Sequence, residues 1–311
     1  MAKINSIYPD SISHGPARFV IIGLAAAVTL LQAAPKESQR TFATPQEAIQ
    51  AIIDAAEHND AAALLQLFGP DGKDILESGT PAEANESRAE FARLAHEKLE
   101  IEQDPTNPDR ATFTVGRADW PFPVPLVRKE GKWRLDAMGG RQEILARRIG
   151  RNELNVMEIC RGYAEAQMKY ATEDRDRDGI LKYAQIIASS PGKQDGLYSE
   201  DASEQLVTKG FVAAANTAKP TPYHGYYFRV LKSQGPAATG GALDYVVKGK
   251  MIGGFALVAW PAEYGASGVQ TFIINHEGIV YGKDLGANTA ALARQMTRFN
   301  PDKTWHRVEL E

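Results

Sequence analysis

Apolar positions along the chain fall into blocks of different period, and each block predicts an element. From Thr44 onward, Ala48, Ile49, Ile52, Ile53 and Ala56 recur on one helical face. The run Thr44-Pro45-Gln46-Glu47 marks the start. Threonine caps, proline takes the first position where no N–H is needed, and glutamate closes a capping box. Asn59-Asp60 ends this helix and caps a second one, whose buried side is Leu64, Leu65, Leu67 and Phe68, before the turn Gly69-Pro70-Asp71-Gly72. A third helix is predicted over 84–99, with Phe91, Leu94, Ala95 and Leu99 inward.

After Asn107-Pro108-Asp109 the period drops to two. Ala111, Phe113 and Val115 read as a half-buried strand, and so do Trp133 and Leu135 after the turn at Glu130-Gly131. Phe122, Val124 and Leu126 alternate with Pro121, Pro123 and Pro125, which cannot donate to a ladder, so this run belongs at a sheet edge or in an extended segment. Helices followed by a hairpin-rich sheet define an α+β part over 40–136. Gly139-Gly140 opens a joint, with a basic linker helix over 137–151. A second α+β part over 152–311 begins with a helix capped by Asn152, whose stripe is Val156, Ile159, Cys160, Tyr163 and Tyr170. A short helix or turn is expected over 182–189. Strands are expected from Tyr226, over 255–260 and over 270–274, with a tight hairpin through His276-Glu277-Gly278 into Val280. The last element is a short helix from Asn288 or Thr289 to Arg298, with Leu292 and Met296 inward.

The amino end differs from all of this. Residues 19–31 (FVIIGLAAAVTLL) form the one strongly apolar run, preceded by Arg18 and followed by Ala33 and Ala34. Thirteen residues are too few to cross a hydrocarbon core of about 30 Å as a helix, and the layout is that of a signal peptide over 1–34. Export to the periplasm or beyond is the resulting expectation, with an uncleaved anchor or a buried helix as alternatives. Composition agrees with a soluble chain: 311 residues, 43% hydrophobic and 24% charged. With 35 basic against 39 acidic residues the net charge is -4, which argues against a general nucleic-acid binder. The single cysteine, Cys160, excludes an intrachain disulfide and lies on an apolar stripe, where it is an inert packed thiol.

Three groups of residues carry candidate chemistry. Phe91, Phe113, Trp120, Phe122 and Trp133 either line a pocket in the first part or simply fill its core. Asp174, Asp176 and Asp178, followed by Gly179, have calcium-loop spacing, but position twelve is Gln185 where a bidentate carboxylate belongs. The loop is therefore either an incomplete divalent-cation site, with calcium as its candidate ion, or an acidic turn held by Asx hydrogen bonds. Tyr223, Tyr226, Tyr227, Tyr264 and Tyr281, with Tyr245, offer contact area for an envelope protein, peptide or glycan, or serve as strand formers at sheet margins. No HExxH or GxSxG motif is present, and no cofactor loop is complete.

Three resemblances follow from longer stretches. The closing run LVRKEGKWRLDA of the first part, after its helices, resembles the cone-shaped nuclear-transport-factor-like and cystatin-like domains, which often hold a pocket between helix and sheet. The stretches GRNELNVMEICRGYAEAQMKYA, DRDRDGILKYAQIIASSPGKQDGLY and GGFALVAWPAEYGASGVQTFIINHEGIVYGKDLG resemble an exported bacterial family known only as a domain of unknown function (DUF 2950). That resemblance implies no activity. The second half also resembles type IV pilin heads, in which a long helix packs on an antiparallel sheet. Phe255, Ala259, Pro261, Gly265, Gly268, Phe272, Gly278 and Val280 fill a comparable pattern. Pilins place their apolar stalk directly before the head helix, whereas here a whole domain intervenes, so the resemblance implies the head fold and not assembly. The expectation is an exported, non-catalytic envelope protein that binds or scaffolds a partner. The alternatives are a small-molecule binder or hydrolase using the cone pocket or an interdomain cleft, and a pilin-like assembly component.

Overall fold

A computed structural model describes residues 39–76, 80–202, 205–215 and 218–309. The predicted signal segment over 1–34 lies outside the described residues. Helix α1 (Pro45–Glu57) starts at Thr44, whose side chain accepts from the Glu47 N–H, while the Glu47 carboxylate accepts from Ala43 rather than from Thr44 itself. Asp60 caps α2 (Ala61–Phe68) by accepting from Ala63. A turn over Pro70–Gly72 leads into the single turn α3 (Lys73–Leu76). Helix α4 (Pro81–Glu97) begins three residues earlier than its periodicity indicates, because Thr80 and Glu83 form a complete capping box. It also ends earlier. Lys98 is extended, and Leu99 opens a strand instead of closing the helical stripe.

That strand, β1 (Leu99–Gln103), pairs antiparallel with β2 (Arg110–Val115). On its other side β2 meets the two-residue β3 (Trp120–Pro121) and β4 (Leu126–Lys129), and β4 turns into β5 (Lys132–Leu135). Both turn residues, Glu130 (φ 53°) and Gly131 (φ 77°), are left-handed, as a two-residue hairpin of matching twist requires. The prolines stay out of the ladder interior: Pro121 lies in the short β3, and Pro123 and Pro125 lie in the segment after it. Ile49, Ile52, Leu64, Leu67, Phe113, Val115, Leu126 and Leu135 form the first buried cluster between helices and sheet.

Helix α5 (Ala137–Tyr170) corrects the expected joint and linker helix. It is one continuous helix capped by Asp136, and it passes through Gly150 and Asn152 without a break. Gly140 serves close approach, since a Cβ on it would lie 2.5 Å from the Val124 side chain, whereas a Cβ on Gly150 or Gly162 would meet nothing within 4 Å. Each interior glycine costs about 1 kcal/mol, which burial of Val156, Cys160, Tyr163 and Tyr170 on the later turns outweighs.

The segment over 182–189 is not helical. It contains β6 (Ile186–Ala188), paired parallel with β7 (Gly196–Tyr198). After α6 (Lys209–Ala215) comes β8 (Tyr226–Leu231), and then the short pairs β9 (Ser233–Gln234) with β10 (Leu243–Asp244) and β11 (Val246–Val247) with β12 (Lys250–Met251). Strands β13 (Ala256–Pro261), β14 (Gln270–Asn275), β15 (Val280–Asp284) and β16 (His306–Val308) complete an antiparallel sheet of order β16-β15-β14-β13-β8. Every residue of β13 is buried, as a strand covered on both faces must be. Helix α5 packs on β13 and β14, α6 sets Phe211 edge-on to Phe228 at 4.9 Å, and α7 (Thr289–Gln295) packs on β13. Helix α7 turns Thr289 and Ala293 inward and leaves Leu292 44% exposed, which corrects its predicted inward place, while Met296 just after the helix packs partly buried on the core as expected. Arg229 donates to the carbonyls of Ala293, Arg294 and Met296 at and just beyond the end of α7. The molecule is mixed α+β, with its buried side chains in two clusters.

Candidate functional site

The helices and sheet of the first part do not close completely on each other. Between them lies a cavity of about 230 Å³. Ile52 and Ala56 of α1 and Leu64 and Phe68 of α2 form one wall, and Ile75 and Leu76 of α3 another. Helix α4 contributes Ala84, Ser87, Arg88 and Phe91. The proline-rich segment closes the cavity with Trp120, Phe122, Pro123 and Val124. The rings are ordered against one another: Phe122 stacks on Phe113 at 4.6 Å, Phe91 tilts on Phe122 at 5.1 Å, and Trp120 meets Phe122 edge-on at 6.4 Å. Trp120 is 45% exposed, and the guanidinium of Arg147 from α5 lies 5.9 Å from its ring.

Of the five predicted pocket aromatics, Phe91, Trp120 and Phe122 line this cavity. Phe113 is buried behind Phe122 and supports it. Trp133 is a core residue, paired through its backbone with Phe42 and covered by Arg128. Arg88 was not among the sequence candidates. Its signal is present in the spacing: Ala84, Arg88, Phe91 and Ala95 share one helical stripe, and arginine is the odd member of it. Arg88 Nη1 donates to the side-chain oxygens of Asn59 (2.7 Å) and Asn85 (3.4 Å). Asn59 holds its place with φ 50°, a conformation asparagine adopts more readily than most residues.

The tyrosines do not make one patch. Tyr226 is 0% exposed, and its hydroxyl donates to the Gln270 carbonyl at 2.9 Å, so its place in a contact surface is corrected. A Cβ on Gly268 would lie 2.0 Å from that hydroxyl, which is why glycine stands there. Tyr245 is equally buried and donates to Gln234. Tyr227 packs on Trp260 and Tyr281 on Phe299, both half-buried, and Tyr223 stands beside His224. Only Tyr264 of the set is exposed (37%), with its hydroxyl on Asp284. Alternation along β8 sends Tyr226 and Tyr227 to opposite faces of the sheet.

The acidic loop is built as a turn with Asx-type hydrogen bonds. Asp174 accepts from the backbone N–H groups of Asp178 (3.2 Å) and Gly179 (2.8 Å), and Asp178 accepts from Ile180. Lys182 Nζ lies 2.5 Å from Asp176 and 3.0 Å from Asp178, and Lys250 Nζ lies 2.9 Å from Asp178. Two ammonium groups thus pair with Asp176 and Asp178, and Gln185 donates away from the loop to the Gly249 carbonyl. Among the described residues no group of three or more His, Cys, Asp or Glu side chains is placed to hold a metal ion. The lysines, led by Lys250, hold the Asp178 carboxyl down at about 2. Cys160 is fully buried, and burial pushes its thiol up to about 12, so it is no nucleophile.

Among the described residues no helix is long and apolar enough to cross a membrane. A family model described as "Protein of unknown function (DUF2950)" matches residues 39–308. No curated protein matches the chain. No solved structure matches it either.

Proposed function

We propose that this chain, which belongs to the DUF2950 family of proteins of unknown function, is an exported, non-catalytic binding protein that takes a small apolar ligand into the cavity of its amino-terminal α+β part. The observation that carries this reading is the ordered cavity itself. At about 230 Å³ it is half as large again as the roughly 150 Å³ cavity known to stay dry and bind benzene. Apart from Ser87 and Arg88 its walls are aliphatic and aromatic, and among the described residues no acid–base pair lines it. A void of this kind forfeits packing contacts that a guest of matching shape would restore.

The size also sets the strength. Burying about 200 Å² of ligand at about 25 cal/mol per Å² contributes roughly 5 kcal/mol, less the cost of immobilisation. Apolar contact alone therefore supports no better than about millimolar binding. Titration of the full chain with p-xylene or 1-octanol is expected to raise the melting temperature and to change Trp120 emission. Ala84→Leu, which fills the cavity from α4, is expected to abolish both responses. Absence of any response in the unmodified protein overturns the reading.

Export rests on residues 19–31 alone. Protein recovered from the cell envelope is expected to begin after residue 34, by mass spectrometry. An intact Met1 on that protein would sink this part of the proposal.

A further inference from the structure

We infer that the ligand of this cavity is a small amphipathic carboxylate whose head group is held by Arg88; the inference rests on the binding reading above. Arg88 is the one charged side chain among the described residues lining a site that, apart from Ser87, is otherwise apolar. Its guanidinium has no carboxylate partner among the described residues, and only Nη1 is engaged, by the amide oxygens of Asn59 and Asn85. Nε and Nη2 are left with no protein acceptor among those residues, and a carboxylate can take both in the planar fork that arginine presents.

Neighbouring acids are committed elsewhere. Glu83 closes the α4 capping box and Glu90 binds Arg93. The Arg88 side chain is half-buried at the cavity edge, and its uncommitted Nε and Nη2 give an anionic guest a charge-assisted pair there. Asn59 acts as a positioning residue that fixes the guanidinium from the loop between α1 and α2. The cavity volume limits the apolar part to a single ring or a short acyl chain, since it only modestly exceeds that of a benzene site.

The test uses three ligands with one tail (octanoate, 1-octanol and octylammonium) titrated into the full chain by calorimetry and Trp120 fluorescence. Octanoate is expected to bind at least about tenfold more tightly than 1-octanol, the gain from a charge-assisted pair, and octylammonium more weakly than either. Arg88→Gln is expected to bring octanoate to within about twofold of 1-octanol. Arg88→Lys should keep part of the preference, and its melting curve guards against a folding artefact. Equal binding of octanoate and 1-octanol to the unmodified protein, or a preference that survives Arg88→Gln, overturns the head-group assignment and leaves the cavity reading intact. If none of the three ligands binds, the cavity reading falls, and this inference falls with it.

Discussion

Gln167 lies on the buried stripe of α5, where an amide has to find partners inside the protein. It finds them in the loop before β6: its Oε1 accepts from the Ala184 N–H at 2.8 Å, and its Nε2 donates to the Ala184 carbonyl (2.8 Å) and to Tyr163 Oη (2.9 Å). The side chain thereby replaces a missing strand partner for one residue of the loop. Gln167→Leu keeps the volume but strands a buried N–H and a buried carbonyl, each costing about 1–3 kcal/mol. A loss of about 3 kcal/mol in stability by chemical denaturation is the expected outcome, and a loss under 1 kcal/mol would contradict it. Periodicity places this glutamine on the stripe of Val156, Cys160, Tyr163 and Tyr170, but pattern reports which face a residue occupies and not what meets it there.

At the scale of elements, local chemistry and long-range contacts divide the outcome. The α1 start at Thr44-Pro45-Gln46-Glu47 is legible because capping involves only neighbours in sequence, and the same signature recurs at Thr80-Pro81-Ala82-Glu83 before α4. Strand β1 hides behind α4, since Leu99 suits both the helical stripe and the strand. The acidic loop shows the opposite limit. Its spacing is that of a cation loop, but Lys250 arrives from a hairpin more than seventy residues away. Asp178 titrates at about 2 in the folded chain against an ordinary 3.8, mainly through Lys250 and Lys182. Because the folded value is depressed, the stabilisation is complete above about pH 4 and is lost as pH falls toward 2. In Lys250→Met the Asp178 carboxyl, followed by NMR, is expected to titrate at higher pH. The acid limb of the stability curve should become shallower between those values.

Over the whole molecule, the two buried clusters are traversed by a single helix whose amino end packs near Val124 and whose later turns lie on β13 and β14. Cys160 sits on those later turns with 0% exposure, so it reports the integrity of the carboxyl-terminal cluster. Iodoacetamide at pH 8 is expected to leave Cys160 unmodified in the native chain and to label it fully in denaturant. Rapid native labelling would mean that α5 lifts from the sheet. Apolar period, capping motifs and turn residues determined that this chain is α+β, where most of its helices and central strands lie, and that Phe91, Trp120 and Phe122 belong to one aromatic group. These are properties of residues near in sequence or repeated at a fixed interval. The tertiary structure alone decided that those rings border an open cavity while Trp133 does not, that Arg88 stands among them, that Tyr226 is buried and that lysines fill the acidic loop. Each of these depends on which distant segment packs against the residue, and burial and pairing are set by that neighbour rather than by the residue itself.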